Sequence, residues 1–149
     1  LLHSTRGNSM TSSNLMTPLQ HKYCVKITEK ISAMPIASPF LKPVNTDEVP
    51  EYLKIIKKPC DLGLVMDRLE KNEYSNVDEW KNDMNLIWKN ATTFNKDGCI
   101  NQMASELNRV FKERVAEIPK NENDEWIIKV KKAHTKYMKL IQSGQHRRN

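Results

Sequence analysis

Between Val77 and Phe94, apolar side chains recur at Val77, Trp80, Met84, Ile87, Trp88, Ala91 and Phe94, at spacings of 3, 4, 3, 1, 3 and 3. An α-helix turns once in about 3.6 residues, so these seven share one stripe and the polar residues between them face the other way. A stripe carrying two Trp and a Phe must be buried against other elements. It is the strongest period in the chain, and the other elements have to cover it.

Three more segments carry a matching period. Thr17-Pro18 reads as an N-cap followed by a first-turn proline, and Cys24, Ile27, Ile31 and Met34 then share a face until Pro35 stops the helix. Asp61 caps a short helix bearing Leu62, Val65, Met66 and Leu69, which ends near Lys71-Asn72. Ser75 or Asn76, with Asp78 or Glu79 three residues on, resembles a capping box opening the long stripe. After the turn Asn95-Lys96-Asp97-Gly98, a helix marked by Ile100, Met103, Ala104, Leu107, Val110, Phe111, Val115 and Ile118 ends at Pro119. The segment 37–60 fits neither helix nor strand: Pro39, Pro43, Pro50 and Pro59 recur among Phe40, Leu41, Val44, Val49, Tyr52, Ile55 and Ile56. A loop of that length in a compact domain is uncommon and is often functional. The expected fold is all-α, an up-down four-helix bundle with a long first crossover and an extra C-terminal helix.

A chain of 149 residues suits one main core. Residues 1–16 are rich in Ser, Thr and Asn and lack the apolar centre of a signal peptide, so they read as a disordered lead or an expression remnant. The bundle is expected over 17–119 and a basic helical extension over 120–149. In that extension 120–123 is a linker and Asp124 caps a fifth helix, with Ile127, Val130, His134, Tyr137 and Ile141 on one side and lysines mostly elsewhere. The net charge of +6 belongs to the tail: 120–149 hold 8 Lys/Arg against 3 Asp/Glu, leaving 16 against 15 before them.

Several function classes lose support on composition. Three widely spaced cysteines, Cys24, Cys60 and Cys99, with no CxxC, argue against a disulfide framework or a zinc site. No apolar run approaches the ~18 residues of a membrane span. The four histidines lie in the lead, the first helix and the tail, so no base is placed beside Cys60 or Cys99 and catalysis is disfavoured.

The order Ser-Pro-Phe-Leu-x-Pro-Val, Pro-x-Tyr-x-x-Ile-Ile-x-x-Pro-x-Asp-Leu, Tyr74, Asp83, Asn90 and Phe94-Asn95 resembles a bromodomain over roughly residues 18–119. The resemblance implies a left-handed four-helix bundle that reads acetyl-lysine without a cofactor or metal. It implies Asn95 as donor to the acetyl oxygen, Tyr52 as its partner through water, and Pro39 and Phe40 as the shelf. Val44 and Val49 would form the wall of the crossover (ZA) loop, Phe94 would flank Asn95, and Ile100, three residues before Met103, would be the gatekeeper. Four departures stand out: Ser38 replaces the shelf Trp, the crossover is short between Val44 and Pro50, Cys60 replaces the usual Met at the pocket, and the loop after Asn95 is about one residue short.

The residue types suit that chemistry. A pocket walled by Phe40, Val44, Val49, Phe94 and Ile100 with no acid placed in it makes a lysine ammonium bear a desolvation cost of several kcal/mol, which the neutral acetylated side chain escapes. Asn95 adds a directed hydrogen bond without charge. Taken singly, Asn95 is most simply a helix C-cap, Tyr52 and Phe40 are core aromatics, and Ile100 belongs to the core of its helix. Their coincidence favours a non-catalytic reader of acetylated histone or other acetylated protein, monomeric and nuclear, in chromatin or transcription regulation. The competing reading is a basic helical nucleic-acid-binding domain. The tail suggests at most a weak, non-specific DNA contact.

Overall fold

The computed structural model describes residues 15–148, and every regular element among the described residues is helical. Most of the expected lead, 1–14, lies outside the described residues. The chain divides into two compact units, one ending at Glu117 and the other starting at Ile118.

In the first unit, α1 spans Pro18–Ser32. Its start is a full capping box: Thr17 Oγ1 accepts from the Gln20 amide at 3.1 Å and Gln20 Oε1 accepts from the Thr17 amide at 2.9 Å. Pro35 does more than end this helix. Its preset φ opens a 3₁₀-helix, Pro35–Phe40, where a structureless loop was expected. One further turn, α2 at Tyr52–Ile55, interrupts the crossover. Next come α3, Leu62–Glu70, α4, Val77–Phe94, and α5, Cys99–Ala116. Asp61 caps α3 by accepting from the Leu64 amide at 3.0 Å. At α4 the cap is Asn76, which accepts from the Glu79 amide at 2.9 Å, while Glu79 reaches back to the Ser75 amide at 2.8 Å.

Helices α1, α3, α4 and α5 form the bundle: α1 packs on α3, α3 on α4, α4 on α5 and α5 on α1, with α1 also meeting α4 across the centre. The stripe that dominates the sequence is the middle of the core, where Trp80, Met84, Ile87 and Trp88 are buried together with Ile31, Leu62, Leu69, Leu107 and Phe111. The Trp80 and Phe111 rings meet edge-on with centroids 5.3 Å apart. Each such side chain contributes roughly 1.5–3 kcal/mol by leaving water, and the aromatic contact adds about 1 kcal/mol.

Burying Trp80 obliges its indole N–H to find an acceptor, and Thr28 supplies it from α1. Trp80 Nε1 donates to Thr28 Oγ1 at 3.0 Å, and the hydroxyl passes its own proton to the Cys24 carbonyl at 2.7 Å. Asp83, only 6 % exposed, presents the costlier case of a buried carboxylate. Its Oδ2 accepts from Tyr74 Oη at 2.6 Å and from an Arg68 guanidinium nitrogen at 2.5 Å, joining α3, the following loop and α4. The hydrogen bond to Asp83 raises the Arg68 pKa; burial, then the bond to Asp83, pushes the Tyr74 phenol up. Both partners therefore stay in the protonated forms that the carboxylate needs.

In the second unit, α6 spans Glu122–Arg148 and starts earlier than expected. Asn121 rather than Asp124 serves its start, accepting from the Asp124 amide at 2.8 Å. Gly144 disfavours helix by only about 1 kcal/mol, which one position among many favourable ones absorbs.

Asp83→Ala should destabilise the protein by about 2–4 kcal/mol, because it orphans the buried Tyr74 hydroxyl and frees Arg68, and Tyr74→Phe by about 1 kcal/mol. Urea unfolding read by far-ultraviolet circular dichroism measures both, with unchanged m-values expected.

Candidate functional site

All nine residues singled out from the sequence line one cavity of about 540 Å³. The 3₁₀-helix brings Pro39 and Phe40, and the crossover brings Val44, Val49, Tyr52 and Cys60. The end of α4 brings Phe94 and Asn95, and the first turn of α5 brings Ile100. Tyr52 is 6 % exposed and its ring lies edge-on to Phe94 with centroids 5.0 Å apart. Phe40 is held likewise against Trp88 at 5.7 Å. The aromatic walls are thus braced by one another and by the core. Ser38, in place of a shelf aromatic, is exposed.

Asn95 is indeed the C-cap of α4, at φ −104° and ψ 85°. Its backbone N–H and side-chain Nδ2 both donate to the Ala91 carbonyl, at 2.9 and 3.2 Å, which orients the amide. One bond from Nδ2 uses one of its two protons. The turn after it is closed by a residue the sequence reading passed over: Asn101 Nδ2 donates to the carbonyls of Asn95 and Lys96 at 2.8 and 3.1 Å. Gly98, at φ 95°, lets the chain enter α5 in a conformation that a side chain would strain.

The crossover is fixed from two sides. Asn90, buried on α4, donates from Nδ2 to the Lys58 carbonyl at 2.8 Å. At the start of α3 the Gly63 amide donates to the Leu41 carbonyl at 3.2 Å, and a Cβ on Gly63 would come within 2.9 Å of that oxygen. Glycine permits the close approach.

Six further residues line the cavity: Ile87, Ala91, Lys42, Asn45, Glu48 and Asp61. Ile87 and Ala91 lie eight and four residues before Asn95 on the α4 stripe, so helical spacing was sufficient to find them. The charged ones correct the expectation of a lining without acids. Asp61 is buried but engaged by the Leu64 amide, whereas Lys42 and Glu48 are exposed. Irregular backbone gave no signal for these last two.

Burial, together with the neighbouring Cys60 thiol, raises the Tyr52 pKa, so its hydroxyl is a neutral donor and acceptor. Burial, followed by the nearby Asp83 and Asp61 carboxylates, pushes the Cys60 thiol up to about 12. A thiol so held is a small neutral wall and no nucleophile at neutral pH. Among the described residues no group of His, Cys, Asp or Glu is arranged to hold a metal ion.

A helical bundle with an apolar socket between its crossover and the loop after its third long helix, closed by one oriented amide, defines a class of small-ligand recognition modules. The family model for the bromodomain matches residues 24–107, and the chain belongs to the bromodomain family. It is similar to Bromodomain-containing factor 1 of Candida albicans, 40 % identical over 84 residues, which are 54 % of this chain and 12 % of that protein. The SWR1 complex bromodomain subunit bdf1 of Schizosaccharomyces pombe is 33 % identical over 107 residues, 70 % of this chain and 18 % of the relative. The chain thus spans less than a fifth of the length of either. Among solved structures, the second bromodomain of Candida albicans Bdf1 in its unbound form aligns with a TM-score of 0.62 at 32 % identity, covering 66 % of this chain and 97 % of that one.

Alkylation with iodoacetamide at pH 8 should label the exposed Cys99 and spare the folded protein's Cys60 and Cys24, whose thiols both lie at about 12. Thiolate is the reacting form, so the rate at Cys60 should rise as the pH climbs toward 12. Peptide mass mapping reads the order of modification.

Proposed function

We propose that this bromodomain is a non-catalytic reader of N-acetyl-lysine, acting on acetylated histone tails in the nucleus. The observation that carries the reading is that Asn95 and Tyr52 both line one cavity whose remaining walls are mostly apolar. Relatives named as an SWR1 complex subunit and as Nucleosome-remodeling factor subunit NURF301-like, from Caenorhabditis elegans, lend support to a chromatin setting.

The chemistry runs as follows. The acetylated side chain enters as a neutral chain ending in a methyl and an amide. The methyl and methylene groups lie against Phe40, Val44, Val49 and Ile100, and the acetyl oxygen accepts from the Asn95 amide and, through water, from Tyr52. Unmodified lysine would have to shed its hydration to enter. Glu48 is exposed to water, whereas Asp61, the one buried carboxylate of the lining, offsets part of that cost. Discrimination comes from that cost, while the Asn95 bond adds only about 0.5–1.5 kcal/mol net and fixes the pose. A ligand this small gives weak binding, with Kd on the order of 10 µM to 1 mM.

Asn95→Ala should weaken binding of a multiply acetylated histone tail peptide roughly tenfold to a hundredfold in calorimetric titration, because it also leaves the acetyl oxygen unpaired, while leaving the unfolding midpoint nearly unchanged, since the side chain is half-buried at a helix end. Equal affinity in the folded variant would refute the site. Tyr52→Phe keeps the ring packing and loses a water-mediated bond, so a drop of about threefold to tenfold is expected. Because the acetylated side chain is neutral, its own contribution should change little between low and high salt.

A further inference from the structure

Helix α6 combines two properties that the bundle does not use. Trp126, Tyr137 and Leu140 are 64, 62 and 64 % exposed, and Val130 and Met138 are exposed as well. From Trp126 to the end of the sequence there are five lysines and two arginines and no acid. At about 100° per residue, Trp126, Ile127, Val130 and Tyr137 lie on an arc of about 160°, with Leu140 at one edge and Met138 at the other. The lysines are confined to the other half rather than spread round the helix. Lys129 borders the Leu140 edge and Lys131 the Met138 edge, with Lys132, Lys136 and Lys139 behind.

We propose that α6 is the docking helix for an EF-hand calcium sensor in its open, calcium-loaded form. The occupant must offer an apolar surface for the arc and carboxylates along both rims for the bordering lysines. Self-pairing fails the second condition: from Trp126 on the helix carries no acid, and the Glu125–Lys129 contact at 3.6 Å is only a weak i,i+4 pair, so two copies would bring lysine rows together. Nucleic acid fails the first, because phosphate contacts use the lysine half and leave the arc in water. An anionic bilayer takes the arc, but half-buried Ile128 lies within the lysine half, out of reach of a flat surface and within reach of lobes that close around a helix. Calcium opens just such a groove in EF-hand sensors, and its flexible methionines adapt to a mixed set of Trp, Tyr, Ile and Leu anchors.

The full chain titrated with calcium-loaded calmodulin at about 150 mM salt, where exposed charges are screened beyond about 8 Å, tests the assignment. A 1:1 complex with Kd of about 1 µM or tighter is expected, lost when calcium is chelated. Trp126→Ala and Leu140→Ala should each weaken it about tenfold without moving the unfolding midpoint of the bundle. No complex at about 50 µM, a calcium-independent one, or equal binding by both variants would overturn the proposal. Tighter binding to phosphatidylserine-containing vesicles or to duplex DNA at the same salt would overturn it in favour of those surfaces. A lowered unfolding midpoint in Trp126→Ala would overturn it by making the arc part of the protein's own core.

Discussion

The crossover wall of the cavity is tied to the core by one hydrogen bond, that from the Asn90 amide to the Lys58 carbonyl. The crossover between the 3₁₀-helix and α3 has one regular turn of its own, so its backbone groups must find partners outside a helix. Asn90 supplies one at 2.8 Å, just before Cys60 and Asp61, and the Gly63 amide supplies another to Leu41. The same helix that sends Asn90 to the loop sends Ile87, Ala91, Phe94 and Asn95 to the cavity. Because α4 carries both sets of groups, the distance between the crossover wall and the amide opposite is set by a single rigid element. A loop fixed only by its own turns would leave Tyr52 and Val49 free to drift from Asn95.

The polar groups of the core act in the same direction. Thr28 and Trp80 tie α1 to α4, and Asp83 ties Arg68 of α3 and Tyr74 to α4. A helix bundle held by apolar contact alone tolerates sliding between helices at modest cost, because one greasy surface resembles the next. Directed bonds inside the core do not. Each of these links ends on α4, so it is the register of that helix they define, and with it the position of Asn95. The price is a buried carboxylate, stable only while both of its donors remain.

Much of the fold was legible because it rests on local rules. Thr17, Asp61 and Asn76 cap where their side-chain oxygens can reach the amide three residues on, a signal carried within four residues. The α4 stripe announced its own burial. What escaped was of two kinds. Pro35–Phe40 is helical through i to i+3 bonds that leave no apolar period, and proline, usually a stop, there presets the turn. Asn90 was named by the resemblance without its acceptor, Asn101 closes the turn just before it and Gly63 meets Leu41, and nothing in an amide or a glycine names its partner. Among cavity residues, Phe94, Asn95, Ile100 and those on the 3₁₀-helix and crossover came from resemblance to a family, while helical spacing would have added Ile87 and Ala91. Lys42, Glu48 and the cap residue Asp61 were missed because irregular backbone has no face to extrapolate.

A reader of this design is weak by construction. On the proposed function the recognised group is a single neutral acetamide, and enclosing it more tightly would add little apolar area while excluding the flanking peptide. Affinity beyond that limit has to come from a second contact on the same chain, where linkage turns the next binding event into an intramolecular one and can raise the apparent affinity roughly 10²–10⁴-fold. Helix α6 offers a separate contact, because its groups, an apolar arc and a lysine half, share no side chain with the cavity. The two contacts then respond to different conditions. As proposed, acetyl-lysine binding turns on a neutral amide and is nearly indifferent to salt, whereas the proposed α6 contact depends on charge and on the state of its partner. On the two proposals above, a calcium signal acts at the helix while the reading of the acetyl-lysine stays unchanged.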